Sequence, residues 1–188
     1  MMRIVVTLFA LASVSRGESI RDVDFKNFAY PFIKNEFDSV PDKRWMLRTR
    51  TNLLALHDGR YTFPCEDTLC PLVTIDQINF GNINGLPEPS AIVTATYHTG
   101  GTATWQYLYV IGLRSGKPVV MAWLETGSRA YMGLRRASVD QGNLVLIVND
   151  PEKREGDCCS TGTITYRYQW QSDSFRQMRA PVRKDDPQ

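Results

Sequence analysis

Histidine is scarce in this chain, with only His57 and His98 among 188 residues, and neither has a second histidine or a cysteine at metal-ligand spacing. That argues against a zinc centre, which needs three or four nitrogen or sulfur ligands, and no metal or other cofactor is expected. Charge of one sign is lacking too, since 22 lysines and arginines face 20 aspartates and glutamates. Removing residues 1–17 would take away Arg3 and Arg16 and no acid, leaving the charges balanced. A neutral chain has no electrostatic drive toward nucleic acid or an anionic membrane surface, so neither is expected as a partner. Arg135-Arg136 and Lys43-Arg44 are local exceptions and read as solvated pairs. Apolar runs are short, and the one over residues 4–11 cannot span a bilayer.

That run has a different reading. Arg3 precedes it and the small residues Ala12, Ser13, Ser15 and Gly17 follow, the pattern of a secretory signal peptide over residues 1–17. Cleavage after Ser15 or Gly17 would leave roughly 170 residues, enough for one hydrophobic core and hardly for two. The expectation is a monomeric periplasmic or secreted protein without a membrane span, its single β-rich domain covering residues 20–178. Residues 179–188 are polar with two prolines and read as a disordered tail.

Export makes the four cysteines, Cys65, Cys70, Cys158 and Cys159, candidates for disulfides. Three connectivities are possible. Cys65 with Cys70 needs only a tight turn, while joining the adjacent Cys158 and Cys159 strains the peptide between them. Crossing both pairs would staple distant segments and remove more entropy from the unfolded chain, which favours that arrangement and leaves the others open. Asp157 beside the second pair disfavours a thiolate, so structural bridging is preferred over redox cycling.

From residue 73 onward the pattern is short strands between turn signals. Residues 73–80, 91–97, 104–113, 118–124, 134–139, 144–148 and 163–171 read as strands, with Ser115-Gly116 and Gln141-Gly142-Asn143 as hairpin turns. Residues 163–171 alternate strictly, placing Ile164, Tyr166, Tyr168 and Trp170 on one face. Residues 144–148 are apolar on both faces and should form a central strand. Residues 21–32 read as a strand ended by Pro31, and residues 45–56 as a strand or a short helix. The fold class is all-β, with at most a minor helical part: a meandering antiparallel sheet folded as a sandwich or a partly closed barrel.

Candidate sites are few. Trp105, Tyr107 and Tyr109 share one strand face, and Tyr166, Tyr168 and Trp170 share another. Either row could be a platform for a sugar ring, a peptide or a lipid tail, or simply core. The loop over residues 81–88 places Asn82, Asn84 and Leu86 at the alternate positions where a calcium loop needs charged oxygens. Two neutral amides and a leucine fit a plain turn better. Ser115 lacks the strand-turn-helix setting of a hydrolase nucleophile. His98 could still meet Asp76 or Glu125 through space.

Several stretches occur together in a specific order: Phe80-Gly81-Asn82-Ile83-Asn84-Gly85-Leu86-Pro87-Glu88, Ala91-Ile92-Val93, Gly100-Gly101-Thr102-Ala103, Tyr107-Leu108-Tyr109, Gly116-Lys117-Pro118, Thr126-Gly127-Ser128-Arg129-Ala130, Gly133-Leu134 and Gly156-Asp157-Cys158-Cys159-Ser160. Their combination over residues 22–175 resembles a family of exported bacterial β-rich proteins of uncharacterised function, with a Gly-Asp-Cys-Cys motif and a degenerate loop of the FG-GAP kind. This chain departs from that pattern in carrying Asn82 and in lacking an acid near Leu86. The resemblance implies a bacterial envelope setting and no activity. The expected function is a non-catalytic exported domain that binds an envelope partner or small ligand, or serves a structural role there. The alternatives are a small envelope hydrolase using His98 and a barrel-type carrier of an apolar ligand.

Overall fold

The computed structural model describes residues 19–32, 53–66, 68–129, 131–156 and 159–186. Strand accounts for 62 % and helix for 6 %, and no helix reaches seven residues, so the chain is all-β. Among the described residues the helical part is three 3-10 turns, Ile20–Asp22, Phe25–Asn27 and Pro151–Lys153. The strands follow in chain order as β1 (Ala29–Pro31), β2 (Leu53–Ala55), β3 (Arg60–Thr62), β4 (Leu72–Gly81), β5 (Ser90–His98), β6 (Thr104–Arg114) and β7 (Lys117–Gly127). They continue as β8 (Leu134–Asp140), β9 (Asn143–Asn149), β10 (Arg154–Glu155), β11 (Cys159–Ser160), β12 (Gly162–Gln171), β13 (Ser174–Gln177) and β14 (Val182–Asp185).

Two antiparallel five-stranded sheets dominate. One runs β3-β4-β5-β6-β7; the other runs β13-β12-β9-β8, with β14 also paired to β12. One of the sheets curls as a half-barrel. The two-residue turns Ser115-Gly116 and Gln141-Gly142 have φ values of 50°, 73° and 51°, 76°. Positive φ at both central residues is the primed turn whose twist matches that of paired strands, which fixes both hairpins where the sequence places them. β9 lies between β8 and β12, the central position its two apolar faces require.

β5 shows how the layers arise. Every residue from Ser90 to Tyr97 is buried, because successive side chains point to opposite faces and both faces are covered. Ala91, Val93, Ala95 and Tyr97 enter one core with Tyr107, Tyr109 and Trp123, roofed by Phe25, Tyr30, Phe32 and Leu56 of the N-terminal segment. Ile92 enters the other with Leu108, Val110 and Leu124, packed on Leu144, Leu146, Tyr168 and Trp170 of the second sheet. Each such large apolar side chain contributes roughly 1.5–3 kcal/mol on leaving water.

Three expectations need correction. Residues 21–32 are strand only at Ala29–Pro31. The rest is held in 3-10 turns by local caps, Ser19 reciprocally with Asp22, and Asp24 accepting from the amides of Lys26 and Asn27. The crossed disulfide arrangement does not form, since Cys65 and Cys70 are bonded to each other with their Cα atoms 5.5 Å apart. Antiparallel pairing of β3 with β4 brings the two ends of the connecting loop together, and the Phe63 amide donates to the Pro71 carbonyl at 2.9 Å. That register decides the pairing, whatever the ranking by loop entropy. Cys159 is also disulfide-bonded.

The third correction concerns the tail. Within residues 179–188, Val182–Asp185 is a strand paired with Gly162 to Thr165 of β12. All four of its side chains are exposed, which is why its composition resembles disorder. It is held by backbone pairing and by ion pairs: Arg183 to Asp150, Lys153 to Asp185 and Arg135 to Asp186. The Asp150 side chain is only 1 % exposed, and the Arg183 guanidinium lies 3.2 Å from both its oxygens. The expected leader over residues 1–17, the stretch 45–52 and Cys158 lie outside the described residues.

Candidate functional site

The aromatic rows are packed inside. Tyr107 and Tyr109 are 0 % and 1 % exposed, with ring centroids 6.4 Å and 6.1 Å from that of Trp123. Tyr168 and Trp170 are buried in the second core, while Trp105 and Tyr166 are half-buried against the first and second cores respectively. A platform needs an open ring face, which the buried Tyr107, Tyr109, Tyr168 and Trp170 do not present. Leu108 and Leu124 pack on one side of the first sheet and the tyrosines on the other.

Burial has a consequence for the phenols. It pushes the hydroxyls of Tyr30, Tyr107 and Tyr109 upward, and that of Tyr168 up to about 12. An unfolded tyrosine ionises near 10. Between that value and the raised folded values the unfolded chain releases protons that the folded chain keeps, so stability falls as pH rises through this window and is unaffected below it. We expect alkaline unfolding to begin near the ordinary tyrosine value, with ionisation of these four buried tyrosines and loss of near-ultraviolet dichroism rising together. Their ionisation well ahead of unfolding would contradict the packing described.

The loop over residues 81–88 acts as a clasp between the sheets. Ile83 is buried in the second core, the Asn84 amide donates to the Gly142 carbonyl at 2.9 Å, and the Asn84 side chain donates to the Gln141 carbonyl at 3.4 Å. The Asn84 side chain is thus engaged by the β8-β9 turn. Among the described residues no three metal-ligating side chains gather anywhere, and no helix is long and apolar enough to cross a membrane.

One opening lies where two β-bulges approach each other. β4 bulges between Ile75 and Gln77, making Asp76 the extra residue; β8 bulges between Leu134 and Arg136, making Arg135 the extra residue. Bulges re-aim side chains and interrupt pairing, and both bulge residues line the opening between the sheets. The result is a cleft of about 220 Å³. Its walls hold Asp76, Gln77, Thr94 and Gln106 from the first sheet, and Arg135 and Arg136 from the second, with Leu134 and Ala137 beneath.

The two arginines differ. Arg135 is spent on the fold, donating to Asn149, to Asp186 at 2.8 Å and to the Ser160 carbonyl at 2.8 Å. Arg136 is exposed and makes no side-chain hydrogen bond or ion pair among the described residues. The side chains of Gln77, Thr94 and Gln106 likewise have no such partner among them. Asp76 accepts from the Thr96 hydroxyl at 2.7 Å. Burial raises the Asp76 carboxyl above the usual range, opposed by the Thr96 hydrogen bond and by His98. The cleft is thus lined by residues that carry a guanidinium, two amides and a hydroxyl, beside one that carries a carboxyl group.

His98 stands near this cleft but is not joined to an acid. It shares a face with Thr74, whose hydroxyl lies 3.5 Å from its Nε2, a long contact. The Asp76 oxygen that is hydrogen-bonded faces Thr96. Glu125 is buried opposite Tyr107, on the other face of the sheet from His98, with a side-chain hydrogen bond between Glu125 and Tyr107. Thus His98 has neither Asp76 nor Glu125 as a hydrogen-bonded partner. Arg136, Thr94, Gln77 and Gln106 were not visible as site residues in the sequence. The one available signal was Arg135-Arg136 itself, two adjacent arginines in a strand whose alternation would otherwise point one of them inward.

The fold and cleft define a two-sheet, all-β domain with a polar opening at one end of its seam. No protein-family model, curated protein or solved structure matches the chain.

Proposed function

We propose that this chain is an exported, non-catalytic β-sandwich domain of the bacterial envelope that binds a small polyol bearing a carboxylate. The observation that carries the reading is a cleft lined by Arg136 together with Thr94, Gln77 and Gln106, the Arg136 side chain having no hydrogen-bond or ion-pair partner among the described residues. A guanidinium presents a planar fork of donors matched to a carboxylate, while amides and hydroxyls exchange hydrogen bonds with neighbouring alcohol groups. The leader-like residues 1–17 support export, and the Cys65–Cys70 bridge is compatible with an oxidising compartment. Recovery of the chain from a bacterial host with residues 1–17 still attached would count against export.

Glucuronate and glucose are the probes for the cleft. Calorimetric titration is expected to give saturable glucuronate binding that Arg136→Ala weakens by about tenfold or more, the scale of one charge-assisted hydrogen bond. Glucose binding, lacking the carboxylate, should be weak and insensitive to that change. Equal glucuronate affinity in the wild-type and Arg136→Ala proteins would remove the proposal. Turnover of a glycoside or ester that His98→Ala abolishes would put the hydrolase reading in its place.

A further inference from the structure

The even-numbered column of β5 runs Ser90, Ile92, Thr94, Thr96, His98 along the seam between the sheets. Thr94 opens on the polar cleft and Ile92 is core, but Ser90 opens on a second, separate cavity of about 170 Å³. Thr94 stands four positions along the strand from Ser90, roughly 13 Å. The walls of this second cavity are mostly apolar: Leu86, Pro87, Leu113, Met121 and Trp170. Among its lining residues the Ser90 hydroxyl is fully buried and has no hydrogen-bond partner among the described residues. Burying a hydroxyl unpaired is unfavourable, and native structures seldom do it without reason.

Gly112 explains why the space exists. Its backbone does not have the positive φ that favours glycine, so its lack of a side chain serves volume rather than conformation. A Cβ at Gly112 would stand 3.3 Å from Met121 Cγ and 4.0 Å from Ser90 Oγ, closing the cavity in front of the hydroxyl. Met121 is itself placed by a bulge in the β6-β7 pairing. The exposed Arg114–Asp173 pair, 3.8 Å apart, marks the outer rim.

We infer that this cavity is a second binding site, for a one-ring molecule bearing a single uncharged hydrogen-bonding group. The volume fits one ring, since an apolar cavity of about 150 Å³ accommodates benzene. The Trp170 indole and Met121 sulfur favour an aromatic ring, and Ser90 supplies the one polar contact. This site is independent of the cleft and of the polyol reading.

Phenol and toluene, matched in shape and differing in the hydroxyl, are the probes. Nuclear magnetic resonance titration of the full chain should show saturable shifts at Ser90, Gly112 and the Trp170 indole, with phenol bound about fivefold more tightly than toluene. Ser90→Ala, which removes the unpaired hydroxyl and should fold at least as well, is expected to erase that preference while leaving toluene unchanged. Gly112→Ala should weaken both probes, and it provides a milder test than Gly112→Val if the larger side chain prevents folding. The inference is overturned if neither probe shifts these residues, if the two bind equally to the wild type, or if Ser90→Ala leaves the phenol preference intact.

Discussion

Replacing Trp123 by alanine is expected to lower the free energy of unfolding by about 3–5 kcal/mol, the usual cost of deleting a large buried ring whose surroundings collapse only partly. Trp123 is 0 % exposed and stands directly across from Tyr109 in the β6-β7 register. Its ring also lies 6.4 Å from that of Tyr107, so the deletion would open a void in the middle of the inner core. Phenylalanine should behave differently. The indole N–H of Trp123 is buried without a hydrogen-bond partner among the described residues, so the smaller ring loses some packing and also removes an unsatisfied donor. We expect Trp123→Phe to cost no more than about 1 kcal/mol. Urea unfolding monitored by far-ultraviolet dichroism checks both, through a shifted midpoint at constant slope. If phenylalanine costs as much as alanine, the N–H has a partner and the described packing is wrong there.

The second large effect is expected at Gly100. Its φ is +88°, and a Cβ there would lie 2.2 Å from the Leu69 carbonyl oxygen, inside the loop closed by Cys65 and Cys70. An alanine must therefore adopt a disfavoured backbone and also push a covalently closed loop away. The expected loss for Gly100→Ala is about 2–3 kcal/mol. The disulfide enters this loss in a testable way. In a Cys65→Ser, Cys70→Ser background the loop can give way, so the same substitution should cost measurably less. A double-mutant cycle on thermal or urea unfolding reads the coupling, and strict additivity would mean the loop does not resist the side chain.

These two sites also show where sequence reading succeeds and where it stops. The seven strands over residues 73–171 stand within a few residues of their expected bounds, because each is an alternating or continuous apolar run closed by a turn signal such as Gly116 or Gly142. What alternation cannot show is which layer covers each face. Tyr107 and Tyr109 read equally well as an open platform, and only the roof of Tyr30 and Phe32 makes them core. The bulges at Asp76 and Arg135 interrupt the period by a single residue, so the cleft they create is silent in the pattern. β14 was invisible for the opposite reason: its four exposed side chains carry no hydrophobic signal, and its place comes from an open strand edge on β12 and from charges on Asp150, Lys153 and Arg135. The sulfur pairing likewise depended on the β3-β4 register, which residue spacing does not contain.

The polar seam and the aromatic core make opposite demands on a ligand. The core is closed, so recognition through the tyrosines would require the N-terminal roof to lift, whereas the cleft between the two bulges is open as the chain stands. The most direct test is a resonance titration of isotope-labelled protein with glucuronate, following backbone amides and the Arg136 guanidinium. The account predicts saturable shifts concentrated at Gln77, Thr94, Gln106 and Arg136, with Tyr107, Tyr109 and Trp123 unmoved. Shifts centred on those three aromatic residues, or none at the four cleft residues at saturating ligand, would contradict it.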